Sequence, residues 1–131
     1  MAGKIVADQI EHSTAGSLDT QYVVNGSAKA WANFDGTGTV ATRATFNQTS
    51  LTDITTGRYD LSFVSNMSNA NYSVATGGAY SATVAGSAGY GAAAVNQLTT
   101  SQYQIQTGPY STGPQPADIA VVMPCVSGDL A

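Results

Sequence analysis

Apolar and polar residues alternate with a period of two in several short windows along the chain, and turn residues close most of them. The clearest window is Arg58–Phe63. There Tyr59, Leu61 and Phe63 fall on one face of an extended strand and Arg58, Asp60 and Ser62 on the other. A second clean alternation lies near the end, where Ile119, Val121 and Met123 share a face opposite Asp118, Ala120 and Val122. Strand signals of the same kind occur in "TQYVV", "AKAWANF", "TVATRATFN", "SLTDIT", "NYSVAT", "AYSATVA", "GAAAV" and "YQIQT". The helical signal is poor, because strong helix formers are scarce and Gly or Thr interrupts most windows. The best helical candidate, "AGSAGYGAAAVNQL", is weakened by Gly86, Gly89 and Gly91 and reads as strand or loop. Strands do not alternate with helices, so the pattern predicts an all-β fold: an antiparallel β-sandwich, jelly-roll-like or similar. Residues 1–20 read as an extended N-terminal arm with one strand at "KIVADQI", and residues 21–131 as a single sandwich domain. The segment "GPYSTGPQP" holds three of the four prolines and reads as a loop.

One stretch invites a different reading. "FDGTGTVA" carries Gly36, Gly38 and Ala41 in the G-x-G-x-x-A spacing of a dinucleotide-binding loop. That loop needs a helix after the glycines, yet "TVATRATFNQTS" is rich in Thr and Val, which favour strands. The stretch is therefore expected to be a hairpin connection. Asp35-Gly36 would form its tight turn with positive φ at both positions, and Gly38 would serve a bulge.

Composition narrows the function. Ile, Leu, Val and Phe together number 24 of 131 residues, a small supply for a core, while the net charge is only -4. A chain this short of bulky apolar groups can complete its stability through subunit contacts. No charged residue occurs between Asp60 and Asp118. That span is either a surface of Ser, Thr, Asn and Gln or a face packed on another subunit, since interface centres are depleted in charge. Four basic residues give no electrostatic footprint for nucleic acid. There is no long apolar run to suggest a signal peptide or a membrane span. The lone cysteine, Cys125, excludes an internal disulfide and reads as a buried, inert thiol.

The segment from Tyr22 to Val74 carries a specific pattern: Asn25 to Ser27, Lys29 to Trp31, Asn33 to Ala41, Phe46-Asn47, Thr52-Asp53, Gly57, Tyr59, Leu61, Phe63 and Ala70 to Tyr72. It resembles a module of virion proteins from tailed bacteriophages, especially marine and cyanobacterial phages, with Thr45 in place of the usual Ser before Phe46. The resemblance covers roughly residues 4–76, and residues 77–131 rest on composition alone. It implies a structural protein of the virion, made in the host cytoplasm. Two roles stay open: a capsid decoration (cement) protein, or a short tail fibre or receptor-binding knob. The length leaves no room for a fibre shaft, which favours decoration. The expected partners are other copies of the chain, most simply a trimer, together with the major capsid protein or tail proteins.

Candidate chemistry is sparse. His12 is the sole histidine and lies in the arm, so no Ser-His-Asp arrangement is expected. One His and one Cys are too few for zinc. Asp53 and Asp60 alone make a thin calcium set, and Glu11 is the sole glutamate, against the paired acids of glycoside hydrolysis. No enzyme activity, cofactor or metal is expected. Lys29 and Arg43 are expected to pair at the surface with Asp35, Asp53 or Asp60. The interaction candidates are aromatic. Trp31 and Phe34 fall on opposite faces of one strand, so one can fill the core while the other meets a neighbour. Tyr72, Tyr80, Tyr90, Tyr103 and Tyr110 lie in the uncharged half, where they would either contact a host surface glycan or sit half-buried in the sheets with their hydroxyls outward.

Overall fold

Alternation in the strands decides how the chain folds. The computed structural model describes residues 3, 5–79, 90–109 and 116–131. It places strands β1 (Gln9–His12), β2 (Gly16–Asp19), β3 (Ala28–Asp35), β4 (Ala41–Phe46), β5 (Gln48–Thr55), β6 (Arg58–Phe63), β7 (Ser73–Ala79), β8 (Tyr90–Leu98), β9 (Gln102–Pro109) and β10 (Val121–Ser127), with one helix, α1 (Thr20–Gly26). β1 and β2 form a separate hairpin. The other eight make two four-stranded sheets, ordered β4-β3-β10-β7 and β5-β6-β9-β8. Every pairing is antiparallel. The fold is thus an all-β antiparallel sandwich. Three hairpins, β3–β4, β5–β6 and β8–β9, stay within one sheet, and the other connections cross between sheets.

The core lies between the sheets. Ala30, Ala32 and Phe34 of β3 and Val122 and Val126 of β10 face Tyr59, Leu61 and Phe63 of β6 and Tyr103 and Ile105 of β9, all buried. Alanines on β3 leave room for aromatic rings from the facing sheet. The Phe34 and Tyr59 rings meet edge-on at 5.1 Å, and Phe63 packs edge-on against Tyr72 at 5.7 Å. Such pairs add stability beyond their area. A few rings therefore compensate for the small number of aliphatic side chains.

Hydrogen bonds pin one end of the sandwich. The segment after residue 115 passes beneath the β5–β6 turn. There Gly57 N donates to Asp118 Oδ1 at 2.6 Å, and Thr107 N donates to Gly57 O at 2.7 Å. Ala117 N donates to Thr107 O at 2.9 Å, and Gly36 N to Ile119 O at 3.0 Å. The Tyr59 hydroxyl lies 2.9 Å from both Gly36 O and Asp118 Oδ1. Asn47 makes the corner between the sheets. Its φ of 53° is left-handed, a conformation asparagine tolerates. Its side chain donates to Lys29 O and Ser65 O and accepts from Ser65 N at 2.7 Å.

Four local expectations change. "TQYVV" lies within helix α1 and not a strand. Strand propensity is realised only where a neighbouring strand takes up the backbone groups, and among the described residues no strand pairs with this segment. Asp35-Gly36 does not form a tight turn, because residues 36–40 make a longer loop and positive φ falls at Gly38 (61°). Gly36 is needed for space: a Cβ there would stand 2.5 Å from Tyr59 Oη. The alternation in the last strand has the opposite phase. Val122, Pro124 and Val126 point inward, while Met123 is exposed. A bend at Ala120 separates buried Ile119 from that strand, so parity does not carry across it. Cys125 lies mid-strand and is half-exposed, not buried. The predicted strand in "GAAAV" is present within β8, whereas residues 80–85 of "AYSATVA" and 110–115 of the proline-rich loop lie outside the described residues.

Candidate assembly surfaces

The N-terminal segment leaves its apolar side chains uncovered. In the β1–β2 hairpin Ile10 pairs directly with Leu18, so both project from one face; they are 55% and 47% exposed. Gln9 and Asp19 occupy the other face, joined by a 2.7 Å hydrogen bond. The Thr20 hydroxyl donates to Ala7 O at 2.7 Å and ties the start of α1 to the segment just before β1. α1 has no buried residue, and Tyr22, Val23 and Val24 are exposed. The link to the sandwich is polar: Lys29 Nζ donates to Val24 O, to Ser27 O and to Ser27 Oγ. An ammonium at a helix C-terminus satisfies carbonyls that the helix leaves free. Lys29 is thus largely buried against the helix end, not paired with an aspartate as the sequence suggested.

A second uncovered surface is the outer face of the β4-β3-β10-β7 sheet. Trp31 lies opposite Phe46 of β4 and opposite Cys125 of β10, and Cys125 lies opposite Ala75 of β7. This is a row across the whole sheet. Met123, two residues before Cys125 on the same face, lies opposite Gly77. Trp31 is 40% exposed, Phe46 53% and Met123 44%. The ladder from β10 to β3 skips Met123 and Pro124, where proline has no N–H to donate. Beside the apolar row stands an ion pair, Arg43 Nη2 to Asp35 Oδ2 at 2.8 Å, the pairing expected of Arg43.

Asp35 also accepts from the Thr37 hydroxyl at 2.6 Å and from Thr37 N at 2.9 Å. These bonds, with Arg43 nearby, hold its carboxyl below the ordinary value of 3.8. Because the native value is lowered, the stabilisation is present above 3.8 and is lost as pH falls through the native value. Asp35→Asn should cost under about 1 kcal/mol at neutral pH. That difference should vanish once the pH falls below the native value, as read from urea unfolding midpoints.

The outer face of the other sheet is polar. Gln102, Gln104 and Gln106 alternate with buried Tyr103, Ile105 and Thr107 on β9. Gln104 Nε2 donates to Asp60 Oδ1 at 2.7 Å, and Arg58 Nε donates to Gln106 Oε1 at 3.1 Å. On β9, therefore, glutamines occupy the outward positions where charged residues would ordinarily stand. A cleft of about 180 Å³ opens between β4 and β5, walled by Thr42, Thr45 and residues 48–50. Among the described residues no group of three or more His, Cys, Asp or Glu could hold a metal ion, and no helix is long and apolar enough to cross a membrane.

The interaction candidates separate by burial. Trp31 faces outward, and Phe34 is fully buried. Tyr72 and Tyr103 are also core residues. The Tyr72 hydroxyl lies 2.9 Å from Thr99 O, and the Tyr103 hydroxyl accepts from Gln48 Nε2. Burial pushes the Tyr103 phenol well above the ordinary 10.0 and does the same to Tyr59, which Asp118 raises further. Phe34, Tyr72 and Tyr103 therefore present no ring to a glycan or partner. Tyr80 and Tyr110 lie outside the described residues; Tyr90 begins β8, and its side chain is likewise outside them. Phe46 and Met123 were missed as surface residues. The direct pairing of Phe46 with Trp31 follows from the β3–β4 register, which in turn depends on a bulge at Asn33/Phe34.

Comparison with known protein families, curated proteins and solved structures finds no match to this chain.

Proposed function

We propose that this chain is a non-enzymatic structural protein of a tailed-bacteriophage virion, acting as a capsid decoration protein that assembles through contacts between copies, most simply as a trimer, on the major capsid protein. The observation that carries this reading is uncovered apolar surface in two places on one small chain: the arm together with helix α1 that follows it (Ile10, Leu18, Tyr22, Val23) and the outer sheet face (Trp31, Phe46, Met123). Isolated exposed apolar residues are ordinary, but contiguous ones mark interaction sites. The resemblance of residues 4–76 to phage virion modules supplies the setting. A second reading, a short tail fibre or receptor-binding knob touching host glycans, draws support from the amides and carboxylate of Gln102, Gln104 and Asp60 on the polar face. Such groups can exchange hydrogen bonds with sugar hydroxyls.

Quantitative mass spectrometry of purified particles separates the two. Decoration requires hundreds of copies per particle, and a fibre or knob requires a few tens or fewer. Absence of the chain from particles would reject both.

A further inference from the structure

We propose that the arm of one copy docks on the outer face of the β4-β3-β10-β7 sheet of a second copy, seating the Ile10–Leu18 pair against Trp31, Phe46 and Met123. This rests on the assembly reading above and names its contact. The arm cannot stand alone. A two-stranded hairpin is at best marginally stable in water, and a seven-residue helix is shorter than an isolated helix needs. Both elements here expose the apolar side chains that would anchor them.

The receiving face matches in chemistry and size. Its centre is apolar, with the Arg43–Asp35 pair beside it. Ala75 and Gly77 on β7 leave little side chain to hold an incoming backbone away. A four-residue strand is about 13 Å long, and four strands spaced about 4.8 Å apart present a face about 14 Å across. The hairpin thus spans the sheet without overhanging it.

The arm of the same copy does not fill this face. It enters β3 through Ser27, and Lys29 fixes the end of α1 at that root. Ile10, Leu18 and Trp31 all remain exposed in the one chain. Each copy therefore offers one arm and one receiving face. A head-to-tail contact of this kind closes as a ring when the rotation permits, which a trimer satisfies.

Trp31 is the only tryptophan, so its fluorescence reports directly on the proposed contact. The test records emission and acrylamide quenching of the full chain while concentration is raised, with light scattering on the same samples. The proposal expects association to shift emission to shorter wavelength and to lower quenching severalfold. Leu18→Lys should abolish both changes, while Glu11→Lys, on the opposite face of the hairpin, should leave them intact. Circular dichroism checks that each variant keeps its sheet signal; if Leu18→Lys loses it, Ile10→Ser replaces it. Oligomers in which Trp31 stays fully quenchable would overturn the docking and leave the assembly reading standing. Blue-shifted, poorly quenched emission from samples that light scattering shows to be monomeric would mean that the copy's own arm covers Trp31, which also overturns it. No association at any concentration would overturn both.

Discussion

Gly57→Ala should destabilise the protein by about 4 kcal/mol, near the upper end of single-substitution effects, or prevent folding. Two causes add. Gly57 has φ of +66°, where any other L-residue but Asn or Asp is strained by roughly 1–2 kcal/mol. A Cβ there would also stand 2.5 Å from Ala117 N and 2.6 Å from Thr107 O. These are backbone atoms and cannot rotate aside. Relief would require the segment beneath the turn to move, breaking the Gly57–Asp118 and Ala117–Thr107 hydrogen bonds. Gly38 provides the control. It has φ of +61° but open space around its Cα. Gly38→Ala should therefore cost only the conformational strain, roughly 1–2 kcal/mol. Urea unfolding of the two variants side by side checks the difference; equal costs would show that the close approach at Gly57 does not constrain the fold.

The second large effect divides two aromatics on one strand. Phe34→Ala removes a fully buried ring in edge contact with Tyr59 and should cost about 3–5 kcal/mol. Trp31→Ala removes a ring from the outer face and should change the stability of a single copy by less than about 1 kcal/mol. Its effect should appear in association, as loss of oligomers at concentrations where the unaltered protein forms them. Circular dichroism in urea gives the first quantity and light scattering the second. A Trp31→Ala protein that associates normally would show that the outer face is not used.

Parts of this structure were legible in the sequence for identifiable reasons. Tyr59, Leu61 and Phe63 share the buried face as their alternation indicated, because β6 lies between β5 and β9 and is covered on one side only. Trp31 and Phe34 lie on opposite faces because strand parity holds across three residues of β3. Many positions of the pattern between Tyr22 and Val74 prove to be fold-making. Asn47 turns the corner between sheets, Gly57 and Tyr59 hold the pinned end, and Tyr72 reaches the Thr99 carbonyl.

Other features depend on neighbours that local pattern does not contain. "TQYVV" has strand composition, but among the described residues no strand pairs with it. Val121 and Met123 alternate correctly yet face outward, because the bend at Ala120 resets the phase. The tyrosines admitted two readings in the sequence, glycan contact or half-burial in the sheets, for a related reason. Among Ser, Gly and Asn they resembled a contact surface, but in a chain with few aliphatic residues Tyr72 and Tyr103 are needed as core. The outer apolar row is the least legible feature, since it joins residues 31, 46, 123 and 125 from three strands through their register.

The most direct test is the mass of the full chain in solution, measured by light scattering across the micromolar range. If its uncovered apolar surfaces exist to be paired, the protein forms a discrete oligomer, with trimer the simplest case. A stable, soluble monomer throughout that range would contradict assembly through contacts between copies.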